Sequence, residues 1–426
     1  MFTVALVLRV AYAWLAHGPG TVASSDAATY DTIAWNLARG LGFSLDSASG
    51  PYATAFVPPV MPYLTGLLYR VIGHDVFAAI LLQCAIGATV PLLLRGVVGA
   101  LAGSPAARIA GWMAVAHPLL VFFSGHLLTE AAFTAALLLA LYASLEWMKT
   151  PRGVRAFGAG MLWGLAALTR PIALPLPMLV AVWAWYPLGL TLAPGHRSRQ
   201  LLLMMLGWAL AVAPWTLRNA AEFGSFIPVT VGGGRSLLDA NNPLVWDDEA
   251  LRGGATSVYH LEPYASALRG RSEVEQDAIS ARLAREFTLS RLSDWPQVAS
   301  AKAQRFWRLS AEAGTTGAWA REGSPIGSLL AWFDPLLIGS LLTFPLALLG
   351  LGFVLAGSKR LYQSLPLMLI GFATIGAIVY WGALRLRAPI EPLVIAYAGI
   401  GAAEFMRRWR LRRSGLRIVG QAGDTR

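Results

Sequence analysis

The chain has 426 residues, of which 56% are hydrophobic and only 13% charged, with a mean hydropathy of +0.55. Soluble domains carry about a quarter charged residues, so composition excludes an ordinary soluble fold and makes lipid the main solvent. A single cysteine, Cys84, excludes an internal disulfide framework and any cysteine-rich zinc site.

In chain order, ten apolar segments have or approach the roughly 20 residues a membrane-spanning helix needs. They are 1–17, 75–98, 106–123, 127–147, 155–169, 172–190, 200–217, 329–356, 362–381 and 388–406. The pattern predicts an all-α polytopic membrane protein. The first segment is short and has no basic lead, so it reads as an uncleaved anchor whose true start is expected upstream. The basic stretches "KTPRGVR" (149–155), "HRSR" (196–199), "SKR" (358–360) and "RRWRLRR" (407–413) alternate onto one face, which the positive-inside rule makes cytoplasmic, as are both termini. Since "RRWRLRR" directly follows an apolar helix, the net charge of +11 is assigned to membrane topology and not to nucleic-acid binding.

Two large loops, 18–74 and 218–328, fall on the opposite face. In the first, Tyr30, Ile33, Ala34, Leu37 and Leu41 share a helical stripe, Gly40 and Gly42 supply a stop, and Asp26 leads. This predicts an interfacial helix, with "FVPPVMPYLTGLLYRVIG" (56–73) forming a second. Either Ser25 or Asp26 also suits a plain helix cap. Glu130 sits near the outer end of the fourth span, where a carboxylate is costly and calls for a function or an arginine partner. His126, one turn away, either meets Glu130 or faces the interface. Four arginines, Arg170, Arg218, Arg385 and Arg387, lie at outer span ends against the positive-inside bias. Read as extended, the spacing of Arg385 and Arg387 turns both side chains the same way, just before Pro389. In the second loop, "GGG" (232–234) suits a turn or, failing that, a close backbone approach to a ligand, and Ile279, Leu283 and Phe287 predict an amphipathic cover helix. His260 and Glu262 are weaker candidates for lining its entrance. No HExxH pattern and no GxxxxGK[ST] loop occurs, which argues against a zinc hydrolase and against ATP hydrolysis.

Six stretches together resemble a known family: "YDTIAWNLARGLGFS" (30–44), "PPVMP" (58–62), "HLLTEAAF" (126–133), "GLAALTRPIALP" (164–175), "PWTLRNAAEFGSFIPVTVGGG" (214–234) and "YWGALRLRAPIEP" (380–392). Their order and placement are similar to the GT-C superfamily of integral-membrane glycosyltransferases. The likeness is to bacterial relatives of the dolichyl-phosphate-mannose protein mannosyltransferases and of the lipid A aminoarabinose transferase, a family-39-like group. The resemblance covers most of 1–240 and the last span, and 240–330 only loosely. It implies a GT-C bundle of about ten spans: a module over 1–240, a large loop at 218–328, C-terminal spans over 329–406 and a basic tail at 407–426.

The resemblance also implies a function. A sugar would leave a polyprenyl-phosphate donor with inversion and join a lipid, glycan or protein acceptor of the cell envelope, outside a bacterial inner membrane. Asp26 matches the family's first-loop acid and would be the base, with Asp31 as runner-up and Glu130 a second catalytic carboxylate. Arg385, Arg387, Arg170 and Arg218 would hold the donor phosphate, while Tyr30, His126, Asn219 and His260 would contact acceptor or loops. The family often carries a second acid beside the first; here Ser25 and Ala27 flank Asp26, so no metal ligands are assigned and a divalent metal stays open. The rival classes are a transporter or flippase for a lipid-linked sugar and a noncatalytic scaffold subunit. A transporter favours midplane charges and internal repeats; the charges here gather at one face, and no repeat is visible.

Overall fold

The computed structural model describes residues 1–189, 191–308, 335–357 and 360–413. The end of the second loop, the first residues of the eighth expected span and the tail beyond 413 lie outside the described residues. The helices are α1 Phe2–Ala16, α2 Asp26–Ala38, α3 Val60–Ile72, α4 Val76–Ala102, α5 Ser104–Ala116, α6 Pro118–Ser124, α7 Glu130–Lys149, α8 Gly153–Thr169, α9 Leu176–Gly189 and α10 Pro194–Phe223. The second loop carries α11 Gly233–Ala240, α12 Pro243–Asp247, α13 Tyr264–Leu268, α14 Glu273–Ser290 and α15 Trp295–Trp307. The chain closes with α16 Pro335–Ala356, α17 Arg360–Gln363, α18 Leu365–Val379, α19 Leu384–Arg387 and α20 Glu391–Arg413.

A helix occupies each of the ten apolar segments, but their lengths divide them. Among the described residues, five are long and apolar enough to cross a membrane singly, and α5 with α6 makes a sixth, bent by 54°. The 15 residues of α1 reach only about 23 Å, short of a full hydrocarbon core. The bend has a local cause. Pro118 offers no N–H to continue α5, so the last carbonyls of α5 lose their helical donors. Arg9 of α1, fully buried, donates to Val115 O at 3.2 Å and Ala114 O at 3.5 Å, satisfying that broken end.

Small residues bring the long helices close. A Cβ at Gly160 of α8 would collide with the Met204 carbonyl of α10, and one at Gly207 of α10 with the Phe157 carbonyl of α8. Gly350 of α16 and Gly401 of α20 block each other's positions in the same reciprocal way.

The first loop folds as expected into two helices, α2 and α3, packed closely enough that a Cβ on Gly66 would sit 2.8 Å from Ala34 O. Between them lies an unforeseen antiparallel hairpin, β1 Ser44–Ser47 and β2 Gly50–Ala53, in register Ser44 with Ala53. Buried Asn36 of α2 ties to it through Ser44 O at 3.1 Å and Asp46 at 3.0 Å. The second loop lies against this roof: Glu273 accepts from Thr54 Oγ1 at 2.8 Å and from Ala55 N at 3.2 Å.

Candidate active site

Four segments far apart in sequence deliver a chain of alternating charges. Glu130 is the first residue of α7, at its positive dipole end, and its carboxylate is fully buried. Arg170 precedes Pro171, and proline disfavours the helical conformation for its predecessor. Arg170 is accordingly extended (φ −147°, ψ 124°), which ends α8 and sends the guanidinium 2.9 Å from Glu130 Oε1. Arg385 of α19 donates through Nε to the same Glu130 oxygen and through Nη1 to Asp26 Oδ2. The order is thus Asp26, Arg385, Glu130, Arg170.

Asp26 opens α2, but the capping reading fails. The N-cap is Ser25, which makes no side-chain cap bond and holds φ at 53°, a conformation non-glycine residues seldom adopt. The Asp26 side chain keeps 55% of its exposure, and its Oδ1 has no partner among the described residues. Each guanidinium also keeps free donors: Arg385 Nη2, and Arg170 Nε and Nη2, meet no acceptor among the described residues. A buried carboxylate therefore holds two arginines whose unused N–H groups remain available for an anion. Tyr30, one turn beyond Asp26, is buried, and its hydroxyl is pushed well above the usual phenol range, first by burial and next by the charge of Glu130.

Other expected residues stand elsewhere. Arg387 does not share the direction of Arg385, because 384–387 is a helical turn in which residues two apart point roughly 200° from each other. It is fully buried, 2.9 Å from Glu391 Oε2, and donates to Ser340 Oγ at 2.7 Å and Trp307 O at 2.9 Å, so it meets protein and not phosphate. His117, at the α5–α6 break, completes this second cluster with Nε2 3.3 Å from Glu391 Oε1. Asp31 accepts from Tyr69 at 2.6 Å and lies 2.9 Å from His74 Nε2, on a separate face of α2.

Arg218 donates to Thr54 O at 2.9 Å and Phe43 O at 3.2 Å and packs over Phe43 and Trp215, clamping the hairpin to α10. Buried Asn219 holds Ile227 O and Val229 O, each at 3.1 Å. His126 meets Phe122 O at 2.8 Å and packs edge-on against the His17 ring, without a bond to Glu130. His260 is exposed and makes no bond to the charge chain among the described residues. The residues that sequence reading missed are Glu391 and His117. Their signal was a charged or polar residue beside a helix-breaking proline, "AHP" and "IEP".

Among the described residues, no three of His, Cys, Asp and Glu converge on a metal-sized point. Between the carboxylates of Asp26 and Glu130 stands the Arg385 guanidinium, so the donor set does not fit a divalent ion, and no step is derived through one.

Similarity to known proteins follows the same lines. The profile of the family described as dolichyl-phosphate-mannose-protein mannosyltransferase matches residues 57–217. No protein of curated function matches the sequence. Among solved structures, the archaeal oligosaccharyltransferase AglB from Archaeoglobus fulgidus, in complex with an inhibitory peptide and a dolichol-phosphate, overlaps with a TM-score of 0.54 at 13% identity, covering 100% of this chain and 52% of that one. The same organism's oligosaccharyltransferase in complex with Zn and sulfate gives 0.57 at 13% identity, over 97% and 50%. The chain thus spans about half the length of these relatives. ArnT from Cupriavidus metallidurans, bound to undecaprenyl phosphate, overlaps at 0.44 and 15% identity over 96% and 78%, too loosely to argue from. The chain is an all-helical multi-pass membrane protein that shares the GT-C fold of these oligosaccharyltransferase structures.

Proposed function

We propose that this protein is an inverting glycosyltransferase that moves a sugar from a polyprenyl-phosphate donor to a cell-envelope acceptor, on the outer face of a bacterial plasma membrane. The observation that carries the reading is the Asp26–Arg385–Glu130–Arg170 chain, assembled under the roof of α2 and α3 from four distant segments.

Each part of the reaction has a group suited to it. The acceptor O–H gives its proton to Asp26 Oδ1, the oxygen left open when Oδ2 binds Arg385. The acceptor oxygen forms its bond to the anomeric carbon as the bond from that carbon to the phosphate oxygen breaks on the opposite side. The electron pair leaves with the phosphate, adding one negative charge. The free N–H groups of Arg385 and Arg170 face that charge, and each such donor is worth on the order of a hundredfold or more in rate. Glu130, wholly enclosed, is a positioning residue for both guanidiniums and does not touch substrate. Arg387, Glu391 and His117 position α19 from behind. This set of a base and oriented phosphate donors at one face favours a transferase over a transporter.

The test is transfer of label from a panel of radiolabelled polyprenyl-phosphate sugars in membranes carrying wild-type or Asp26→Asn protein. Transfer by the wild type, falling at least a hundredfold in a folded Asn variant, is the expected result. Equal transfer by both would remove Asp26 from the mechanism.

A further inference from the structure

At the opposite end of the bundle, a groove of about 490 Å³ opens between α4 and α7, lined by Arg95, Gly96, Gly99, Tyr142, Glu146 and Lys149. Its charges do not cancel. Glu146 is taken by Lys149 at 2.7 Å, and Arg95, exposed in the groove, has no carboxylate or hydrogen-bond acceptor among the described residues. Arg95 stands seven residues before the end of α4 at Ala102, and Tyr142 seven before the end of α7 at Lys149. At 1.5 Å per residue both lie about 10 Å, some two turns, inside their spans.

An unpaired guanidinium at that depth in an apolar helix needs an anion or a route to water. The nearest rim is occupied by the like-charged Lys149, so reaching outward brings Arg95 towards another cation. The Tyr142 ring packs beside Gly96 of α4, where a Cβ would stand 3.4 Å from the ring, at ordinary contact distance. The Tyr142 hydroxyl has no hydrogen-bond partner among the described residues and offers a second donor at the level of Arg95. Leu92, exposed on the same helix, gives the groove an apolar flank on the lipid side.

We infer that this groove is a binding site for the phosphate headgroup of an anionic phospholipid, with Arg95 and Tyr142 as its phosphate ligands and Leu92 against an acyl chain. A two-donor pocket with net positive charge, an apolar flank at Leu92 and an open side suits a lipid-borne phosphate better than a soluble one. The site is independent of the transferase reading.

The experiment is native mass spectrometry of the full chain released from detergent with equal amounts of a phosphatidylglycerol and a phosphatidylcholine of matched acyl chains. Wild-type protein is expected to retain the anionic lipid about five- to tenfold over the zwitterionic one. Arg95→Met should abolish that preference, while the double variant Glu146→Gln with Lys149→Met, which removes a pair already neutralised and leaves the net charge unchanged, should keep most of it. If Arg95→Met protein does not fold, Tyr142→Phe, which keeps the ring on Gly96, should lower the retention at least twofold. An unchanged preference in the folded Arg95→Met variant, or none in the wild type, overturns the site. Displacement of the lipid by millimolar inorganic phosphate would overturn the lipid as its occupant.

Discussion

Arg385 and Arg387 are separated by one residue and serve opposite clusters. The first joins Asp26 to Glu130; the second is sealed against Glu391 with no exposure. A buried ion pair resists loss of one partner more than loss of both. Glu391→Gln should therefore lower the thermal midpoint sharply, by a destabilisation of about 3–5 kcal/mol, because Arg387 is left enclosed without its counter-charge. The double variant Arg387→Met with Glu391→Met should recover most of that midpoint. Tryptophan-fluorescence melting of the purified protein checks both, and a double variant no better than the single would refute the pairing. These two arginines also mark the limit of what could be read from sequence. A spacing of two puts side chains together in a strand and apart in a helix, and "LRLRAP" does not announce a single helical turn. Asp26, Glu130 and Arg170 were legible as suspicious charges at one face; that Glu130 is a shared hub was not, since hydropathy carries no pairing information.

At the scale of elements, the second loop is fastened by groups whose burial the sequence does not disclose. Lys302 of α15 is fully buried and donates to Asn241 Oδ1 at 2.8 Å, linking α15 to the end of α11. Burial pushes its ammonium down to about 7 from the usual lysine range. Between that value and about 10.4 the unfolded chain holds a proton that the folded chain does not, so stability rises with pH across this window and is lower below it. Lys302→Met should flatten this dependence, read as melting midpoint against pH from about 6 to 10; a slope unchanged in the variant would remove Lys302 as its source. The amphipathic run that became α14 was visible at spacing four, whereas the hairpin at 44–53 was not. Its strands have four residues each, too few to establish alternation, and Gly50 turns the corner with φ of 113°. Arg218, expected at phosphate, instead secures that hairpin, a role dictated by a structure that the sequence pattern does not contain.

Across the whole molecule, close backbone approaches at glycines accompany a continuous apolar core in holding the bundle together. Inside lipid there is little hydrophobic drive between helices, so close packing of small residues supplies much of the association. At Gly401 even a Cβ would strike the Leu346 carbonyl. Gly401→Leu should part α16 from α20 and prevent accumulation of monodisperse protein, seen by fluorescence-detected size exclusion; a normal elution peak would refute this. Leucine at Gly352, which has open space beside it, should be tolerated in the same assay. The ten apolar segments were legible because lipid selects for hydropathy. Their unequal lengths, the break at Pro118 and the burial of Arg9 were not, because a short or bent helix is completed by its neighbours and not by its own composition.

The charge chain has a consequence for biosynthesis. Asp26 and Arg385 are separated by 359 positions, and Glu130 and Arg385 by 255. During synthesis the roof helix and the fourth apolar segment are inserted long before their common cation exists. At about 5–20 residues per second, the interval from Asp26 to Arg385 lasts roughly 20–70 s. Over that time Glu130 has only Arg170 as a counter-charge, and Asp26 has none. The acidic centre is therefore closed last, by the arrival of "GALRLRAP", so an unfinished chain carries the roof and the bundle without the junction that joins them.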